Sequence, residues 1–495
     1  MKKREKRNSY LHILKYTGMF GGVQGVNILV GVVRNKLVAM ILGPQGMGLI
    51  SLFNSTIALV SDSTGLGLGM SAVKRLSESF ATGDTPEMER SVRVIRSWSL
   101  LTGLFGMFVC VVLSPLLDRF TFSWGDHTLH FMLLSPIIPL LAVTNGELAI
   151  LKATRQLRAL AKQSVGTVLL ALLLTVPLYE QFGEAAIVPS LVLMAAIQLF
   201  LSIVYSYRLY PLRLSLRRET LGTGLPMVKL GVAFVVAGTM TSGAEFVIRS
   251  FLNHEGALDT VGLYNAGFML TTTYVSMIFV AMETDYFPRL SSVATHTFTM
   301  NQTVNRQIEV SLLFAAPLIA LFMITLPWLV PLLYSGRFTP AVGMAQVSLL
   351  GMYMRAVRLP VEYISLAKGD SRSFLVLESV YALLIVGFAL PFFRLWGLWG
   401  TGLALAVVGL LHYLVVFIYM YRRHGYRVSA SVRLYMMLQL PLGLLTFGIT
   451  LLDNPFLYGS LGVLSVAVSA MISIKILKSK TGGLRGLPDK RGTHS

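Results

Sequence analysis

Nine ionisable side chains lie in stretches too apolar to be solvated. The cations are Arg34, Lys36, Arg249, Arg355 and Arg358; the carboxylates are Asp62, Glu147, Glu245 and Glu362. A charge at the centre of a bilayer costs about 3 kcal/mol or more, so such residues face a bundle interior or a wet cavity. Guanidinium and ammonium groups bind phosphate through charge-assisted hydrogen bonds, Arg bidentately. The cations therefore suit a ligand with a phosphate head and an apolar tail, and the carboxylates suit charge balance or carriage of a coupling proton. Glu245 and Arg249 are i,i+4 neighbours and can pair. Arg355, Arg358 and Glu362 share one helical face. His412 fits a packed histidine or a proton relay. Asp62 stands beside Ser61, Ser63, Thr64 and Gly65, where a helix loosens and hydrates. Glu283 and Asp285 fall at a helix end.

Each residue has a plainer explanation. Arg34, Lys36 and Arg249 can snorkel to a membrane boundary, Glu147 can be a helix-end charge beside Lys152, and Arg358 with Glu362 can be a structural pair. No Cys/His cluster or catalytic constellation accompanies them. The single cysteine, Cys110, excludes an intrachain disulfide. No metal, no cofactor and no enzymatic step is expected.

The elements that carry these groups are membrane helices. The chain has 495 residues, 54% hydrophobic and 13% charged, where a soluble protein carries about 25% charged. Apolar runs fall near 15–41, 47–72, 92–116, 129–151, 163–182 and 185–207, then 225–252, 260–286, 307–333, 341–366, 373–393 and 398–420, and finally 431–451 and 456–477. A helix of about 20 residues crosses the hydrocarbon core, so about fourteen spans are expected. The net charge of +19 does not point to nucleic acid, because Lys and Arg lie between apolar runs. Alternate joints are basic: Lys74, Arg75, Arg90, Arg93 and Arg96; Lys152, Arg155, Arg158 and Lys162; Arg208 to Lys229; Arg422 to Arg433. That alternation implies cytoplasmic termini and an even span count.

Two stretches repeat half a chain apart. GLISLF from Gly48 corresponds to GLYNAGF from Gly262, with Arg34 and Arg249 at similar distances upstream. ELAILKA from Glu147 corresponds to EYISLAK from Glu362. Matching members run the same way through the membrane, which implies a parallel repeat. The expected fold is all-α and integral to the membrane. Two pseudo-symmetric six-helix lobes, 1–220 and 221–425, surround a central cavity; an extra helix pair, 426–480, and a basic cytoplasmic tail, 481–495, follow. Glycines in the first span (Gly18, Gly21, Gly22, Gly25, Gly31) and prolines in the fourth and tenth (Pro136, Pro139, Pro360) allow close approach and kinking.

The run LVAMILGPQGMGLISLFNSTIALVSDSTGLGLGMSAVKRLSE, residues 37–78, resembles the opening hairpin of bacterial O-antigen and polysaccharide translocases of the multidrug/oligosaccharidyl-lipid/polysaccharide exporter superfamily. The resemblance implies a flippase in the bacterial inner membrane. It would carry undecaprenyl-diphosphate-linked oligosaccharide to the periplasmic leaflet by alternating access, among membrane lipids and beside a polymerase and other polysaccharide-assembly proteins. It also implies two extra C-terminal helices in some members and cavity arginines at places comparable to Arg34 and Arg249. Two readings stay open beside it: a cation-coupled multidrug exporter, and a flippase for the lipid-linked peptidoglycan precursor. A membrane polymerase or ligase fits less well, because the longest outer joint, near 117–128, is about a dozen residues.

Overall fold

The computed structural model describes residues 2–82, 85–122, 124–215 and 217–482. Side chains of residues 1–24, of the basic-joint residues Lys74, Arg218 and Lys229, and of Glu283 and Asp285 lie outside the described set, as do residues 483–495 of the expected tail. Among the described residues the secondary structure is helical and no strand forms.

In chain order the helices are α1 (Lys2–Thr64), α2 (Leu68–Thr82), α3 (Thr85–Thr121), α4 (Thr128–Leu134), α5 (Ile137–Ala153), α6 (Leu157–Phe182), α7 (Ile187–Ser206) and α8 (Arg218–Gly222). They continue with α9 (Leu225–Glu255), α10 (Leu258–Phe268), α11 (Val275–Val293), α12 (Thr297–Leu333), α13 (Ala341–Ala367), α14 (Ser371–His424), α15 (Ala430–Thr450) and α16 (Pro455–Gly482). A π-helical turn, Met269–Tyr274, joins α10 to α11.

Eight helical stretches among the described residues are long and apolar enough to cross a membrane. The three longest are Gly25–Thr64, Leu157–Ser206 and Ser371–His424, the last 54 residues long. At about 1.5 Å per residue such a rod would far overshoot a 30 Å hydrocarbon core. Each is broken by a glycine at positive φ: Gly43 (66°), Gly183 (56°) and Gly397 (59°). These turns coincide with the joints expected from sequence, and the chain is a multi-pass membrane protein.

The second apolar run differs from expectation. It ends at Thr64, not near residue 72, because Leu66 (φ 50°) and Gly67 (φ 63°) form a turn. The following α2 lies apart, with Leu68, Ala72 and Leu76 packed on Val92, Ile95 and Ile150 of α3 and α5.

Helix faces sort by side-chain size. On α3, Leu104, Phe108, Val112, Leu116 and Phe120 recur every four residues and stay exposed, a lipid-facing stripe. The other face carries Gly103 and Gly106, where a Cβ would sit 2.6 Å from Pro139 Cα and 2.4 Å from Thr64 Oγ1. Small residues let helices pack where lipid offers no hydrophobic drive between them.

The described chain forms two compact units. One runs to Leu263 and takes in Leu332–Arg337; the other comprises Tyr264–Pro331 and the chain from Phe338. In the first unit α9 packs against α1, α2 and α3. The approach is backbone on backbone: on α9 a Cβ at Gly231 would lie 2.2 Å from Leu66 O, and on α10 one at Gly262 would lie 1.9 Å from Pro44 O. In the second unit α13 packs along α14, with Ala356, Val357, Val361 and Ile364 fully buried.

Candidate functional site

In the first unit the second half of α1 loosens where the sequence places its polar run. Ser63 Oγ donates to Leu59 O (2.6 Å) and Thr64 Oγ1 to Val60 O (2.7 Å). Such back-bonding bends a helix, and the turn at Leu66 ends it. Beside this end lies a cavity of about 250 Å³, walled by Ser61, Asp62 and Thr64 of α1, Thr102 of α3, Asn145 of α5 and Gly238 of α9. Asp62 is exposed and is the one charged residue on the wall among the described residues. Gly238 lets α9 approach it: a Cβ there would sit 3.7 Å from the Asp62 side chain. The cavity has a polar edge on an otherwise apolar wall, has room for water, and offers a carboxylate; none of Arg34, Lys36 and Arg249 lines it.

Arg249 and Glu245 meet as their spacing requires. Arg249 Nη1 donates to Glu245 Oε2 at 2.9 Å, and Nε donates to Ser51 Oγ on α1 at 2.9 Å. The guanidinium is 7% exposed and the carboxylate 42% exposed. Arg34 is half-buried and turns elsewhere: Nε donates to Thr175 Oγ1 of α6 (3.4 Å) and Nη2 to Met194 Sδ of α7 (2.9 Å). Lys36 is half-buried.

Glu147 is 1% exposed and wholly engaged. Arg96 of α3 grips it bidentately at 2.8 and 3.0 Å. Ser206 Oγ, at the end of α7, donates to the same carboxylate. The Arg96 guanidinium also donates to Pro211 O (2.9 Å) and stacks on Tyr207 at 4.5 Å. Four elements meet at one buried ion pair, so Arg96 is a core residue and not a loop charge. Its place beside Ser97 and Trp98, within the α3 pattern, was the available signal.

In the second unit the expected face of α13 gathers a larger cluster. Arg358 Nη1 lies 3.4 Å from Glu362 Oε1 and donates to His412 Nδ1 of α14. His412 Nε2 lies 3.1 Å from Leu377 O, on the other half of α14. Tyr381 sits under both, with Arg358 5.6 Å over its ring. Glu378 lies within electrostatic reach of Arg355, Arg358 and Glu362. Sequence reasoning missed Glu378, although a lone carboxylate in LVLESVYALL carries the same signal as Glu147.

Outside the spans, Asp370 caps α14. It accepts from Ser373 N (3.1 Å) and Ser373 Oγ (2.7 Å), and Arg423 Nε approaches at 3.3 Å. The Ser373 hydroxyl, ahead of the other contacts, holds its carboxyl down to a pKa of about 2. Among the described residues no group of three or more His, Cys, Asp or Glu could hold a metal ion.

Residues 37–343 match the family model described as polysaccharide biosynthesis protein. The chain belongs to that family. This family member is 23% identical over 371 residues to the lipid III flippase of Escherichia coli (strain K12), a match spanning 73% of this chain and 87% of that one, and the same figures hold for the lipid III flippase of Shigella flexneri. Among solved structures it resembles an inward-facing multidrug resistance MATE family transporter of the MOP superfamily (TM-score 0.69, 14% identity, 81% of this chain and 94% of that one). It also resembles the lipid II flippase MurJ in an inward closed conformation (TM-score 0.65, 13% identity, 93% and 99%). At these identities the structural likeness is one of fold.

Proposed function

We propose that this protein is a flippase. It moves an undecaprenyl-diphosphate-linked oligosaccharide, an O-antigen or related repeat unit, from the cytoplasmic to the periplasmic leaflet of the bacterial inner membrane by alternating access, with both termini cytoplasmic. The observation that carries this reading is the similarity to a lipid III flippase along 87% of that protein's length. The chemistry supports it: Arg34, Arg249 and Arg358 bring guanidinium groups into membrane helices, and guanidinium suits a diphosphate better than any neutral donor. In this reading Arg34, Lys36, Arg249, Arg355 and Arg358 hold the head group while the polyprenyl tail stays in lipid. Asp62, Glu245 and Glu362 balance charge or carry a coupling proton, and Glu147 balances Arg96. The lobes 1–220 and 221–425 are the moving parts. Membrane lipids, a polymerase and other assembly proteins are the partners.

The test is replacement of Arg34 or Arg249 by Ala, with surface polysaccharide measured per unit of membrane-inserted protein. Loss of one charge-assisted contact predicts a fall of about tenfold or more. Lys should rescue a point-charge role but not a bidentate one. Unchanged polysaccharide at unchanged abundance would remove that residue from the site.

One observation favours a second reading: the described cavity bears a carboxylate and no cation, which suits a cation-coupled multidrug exporter. Under that reading Asp62→Asn abolishes resistance to cationic drugs and leaves surface polysaccharide intact.

A further inference from the structure

The Arg358 cluster holds more functionality than a structural ion pair requires. His412 Nε2 has a carbonyl oxygen, Leu377 O, as its neighbour, so that nitrogen carries the proton. In the neutral ring Nδ1 is then an acceptor, and it accepts from Arg358. Glu362 Oε1 lies 3.7 Å from the same Nδ1 but holds no hydrogen bond, and Arg358 Nε–H is buried without an acceptor among the described residues. Buried groups left without a hydrogen bond keep their desolvation penalty. The arrangement is thus one proton short on one side and one acceptor short on the other.

The groups placed against His412 are Arg358 and Glu362 on α13 and Tyr381 on the first half of α14; Glu378, also on α14, lies within electrostatic reach of Arg355, Arg358 and Glu362. Tyr286 of α11 is committed to Pro360 O. Two cations and two carboxylates balance when the imidazole is neutral.

We propose that His412 is a proton-binding site whose occupancy decides the partner of Arg358, and that this proton binds together with a phosphate-type oxyanion. A proton taken from water onto Nδ1 turns that nitrogen from acceptor into donor. It then faces Glu362 Oε1 and repels the Arg358 N–H it formerly accepted. Arg358 is released with an N–H already lacking an acceptor, and the cluster carries one excess positive charge in a medium of low dielectric. An anion at Arg358 compensates that charge. Proton and anion therefore raise each other's affinity by the same factor. The proton half stands on the cluster alone; the anion half rests on the flippase reading above.

The test is hydrogen–deuterium exchange at the His412 ring C2 position, followed by mass spectrometry on the full-length protein in detergent from pH 5 to 9. Sodium sulfate, dianionic throughout, is compared with sodium chloride at equal ionic strength. The expected result is a sigmoidal profile at His412 whose midpoint rises by about half a unit or more in sulfate, a threefold or greater linkage. Glu362→Gln, which removes the negative charge facing the protonated ring, should lower the midpoint. A flat profile overturns the proton site, and a midpoint indifferent to sulfate overturns the linkage. Neither result touches the flippase reading, which fails instead if Arg34 and Arg249 variants keep normal surface polysaccharide.

Discussion

Glu147 and Glu362 occupy matching stretches of sequence and have opposite surroundings. Glu147 is sealed, with three hydrogen bonds from Arg96 and Ser206. Glu362 is 17% exposed, and its Oε1 has ion-pair neighbours but no hydrogen bond. The turn that ends each helix explains why. After α5, Gln156 N donates to Leu151 O; after α13, Asp370 N donates to Ser365 O. Glu147 stands four residues before Leu151, and Glu362 stands three before Ser365. One residue turns a helix by about 100°. The two carboxylates therefore leave matching helices in different directions, one into a core and one toward a histidine. Sequence similarity aligned the letters; the helix period decides the partners.

This contrast is most exposed to stability measurements. Glu147→Gln leaves Arg96 as an uncompensated buried charge and should cost about 3–5 kcal/mol, read as lost thermal stability and membrane abundance. Glu362→Gln should cost less, about 1–3 kcal/mol, because its Oε1 accepts no hydrogen bond and Glu378 stays within electrostatic reach of Arg358. Equal losses would end the distinction between a sealed pair and an open cluster.

The glycines offer the opposite case, where matching residues do act alike. Gly48 and Gly262 pack reciprocally within the first unit: a Cβ at Gly48 would lie 2.2 Å from Leu258 O, and one at Gly262 would lie 1.9 Å from Pro44 O. Gly48→Ala and Gly262→Ala should each destabilise by about 2–3 kcal/mol, since backbone must move. Gly459→Ala on α16, with nothing within 4 Å, should leave the melting temperature unchanged or raise it.

The joints after the two glutamates differ by smaller amounts. Asp370 caps α14 through Ser373, whereas its counterpart Gln156 makes no side-chain cap to α6. The Asp370 pKa of about 2 lies below its ordinary value of 3.8. Its stabilisation is therefore complete above about pH 4 and lost as pH falls through about 2. Amide exchange at acid pH should loosen the start of α14 and not that of α6, and Asp370→Ala should remove the difference at a cost of about 1 kcal/mol. The same turns place Arg155 at φ 55° and Gly369 at φ 68°. Arg155→Gly should stabilise by about 1 kcal/mol and Gly369→Ala should destabilise by a similar amount, because only glycine enters that region without steric cost.

Particular residues show how far the chain could be read unaided. Helix class, the breaks at Gly43, Gly183 and Gly397, and the Glu245–Arg249 pair follow from periodicity and spacing, which are local. The Glu147–Arg96 pair joins residues 51 apart, and the Arg358–His412 contact spans 54. Packing alone selects those. Asp62 was legible because a charge amid Ser, Thr and Gly violates the apolar pattern; Glu378 broke the same rule. Ser51 was hidden, since a serine in a membrane helix ordinarily bonds its own backbone.

The most direct test of the account is translocation itself. Purified protein in liposomes would be given a fluorescent undecaprenyl-diphosphate oligosaccharide, and the fraction in each leaflet followed by a membrane-impermeant quencher. The account predicts equilibration between leaflets within minutes, slowed by about tenfold or more in Arg249→Ala. Leaflet exchange no faster than in protein-free liposomes would contradict it.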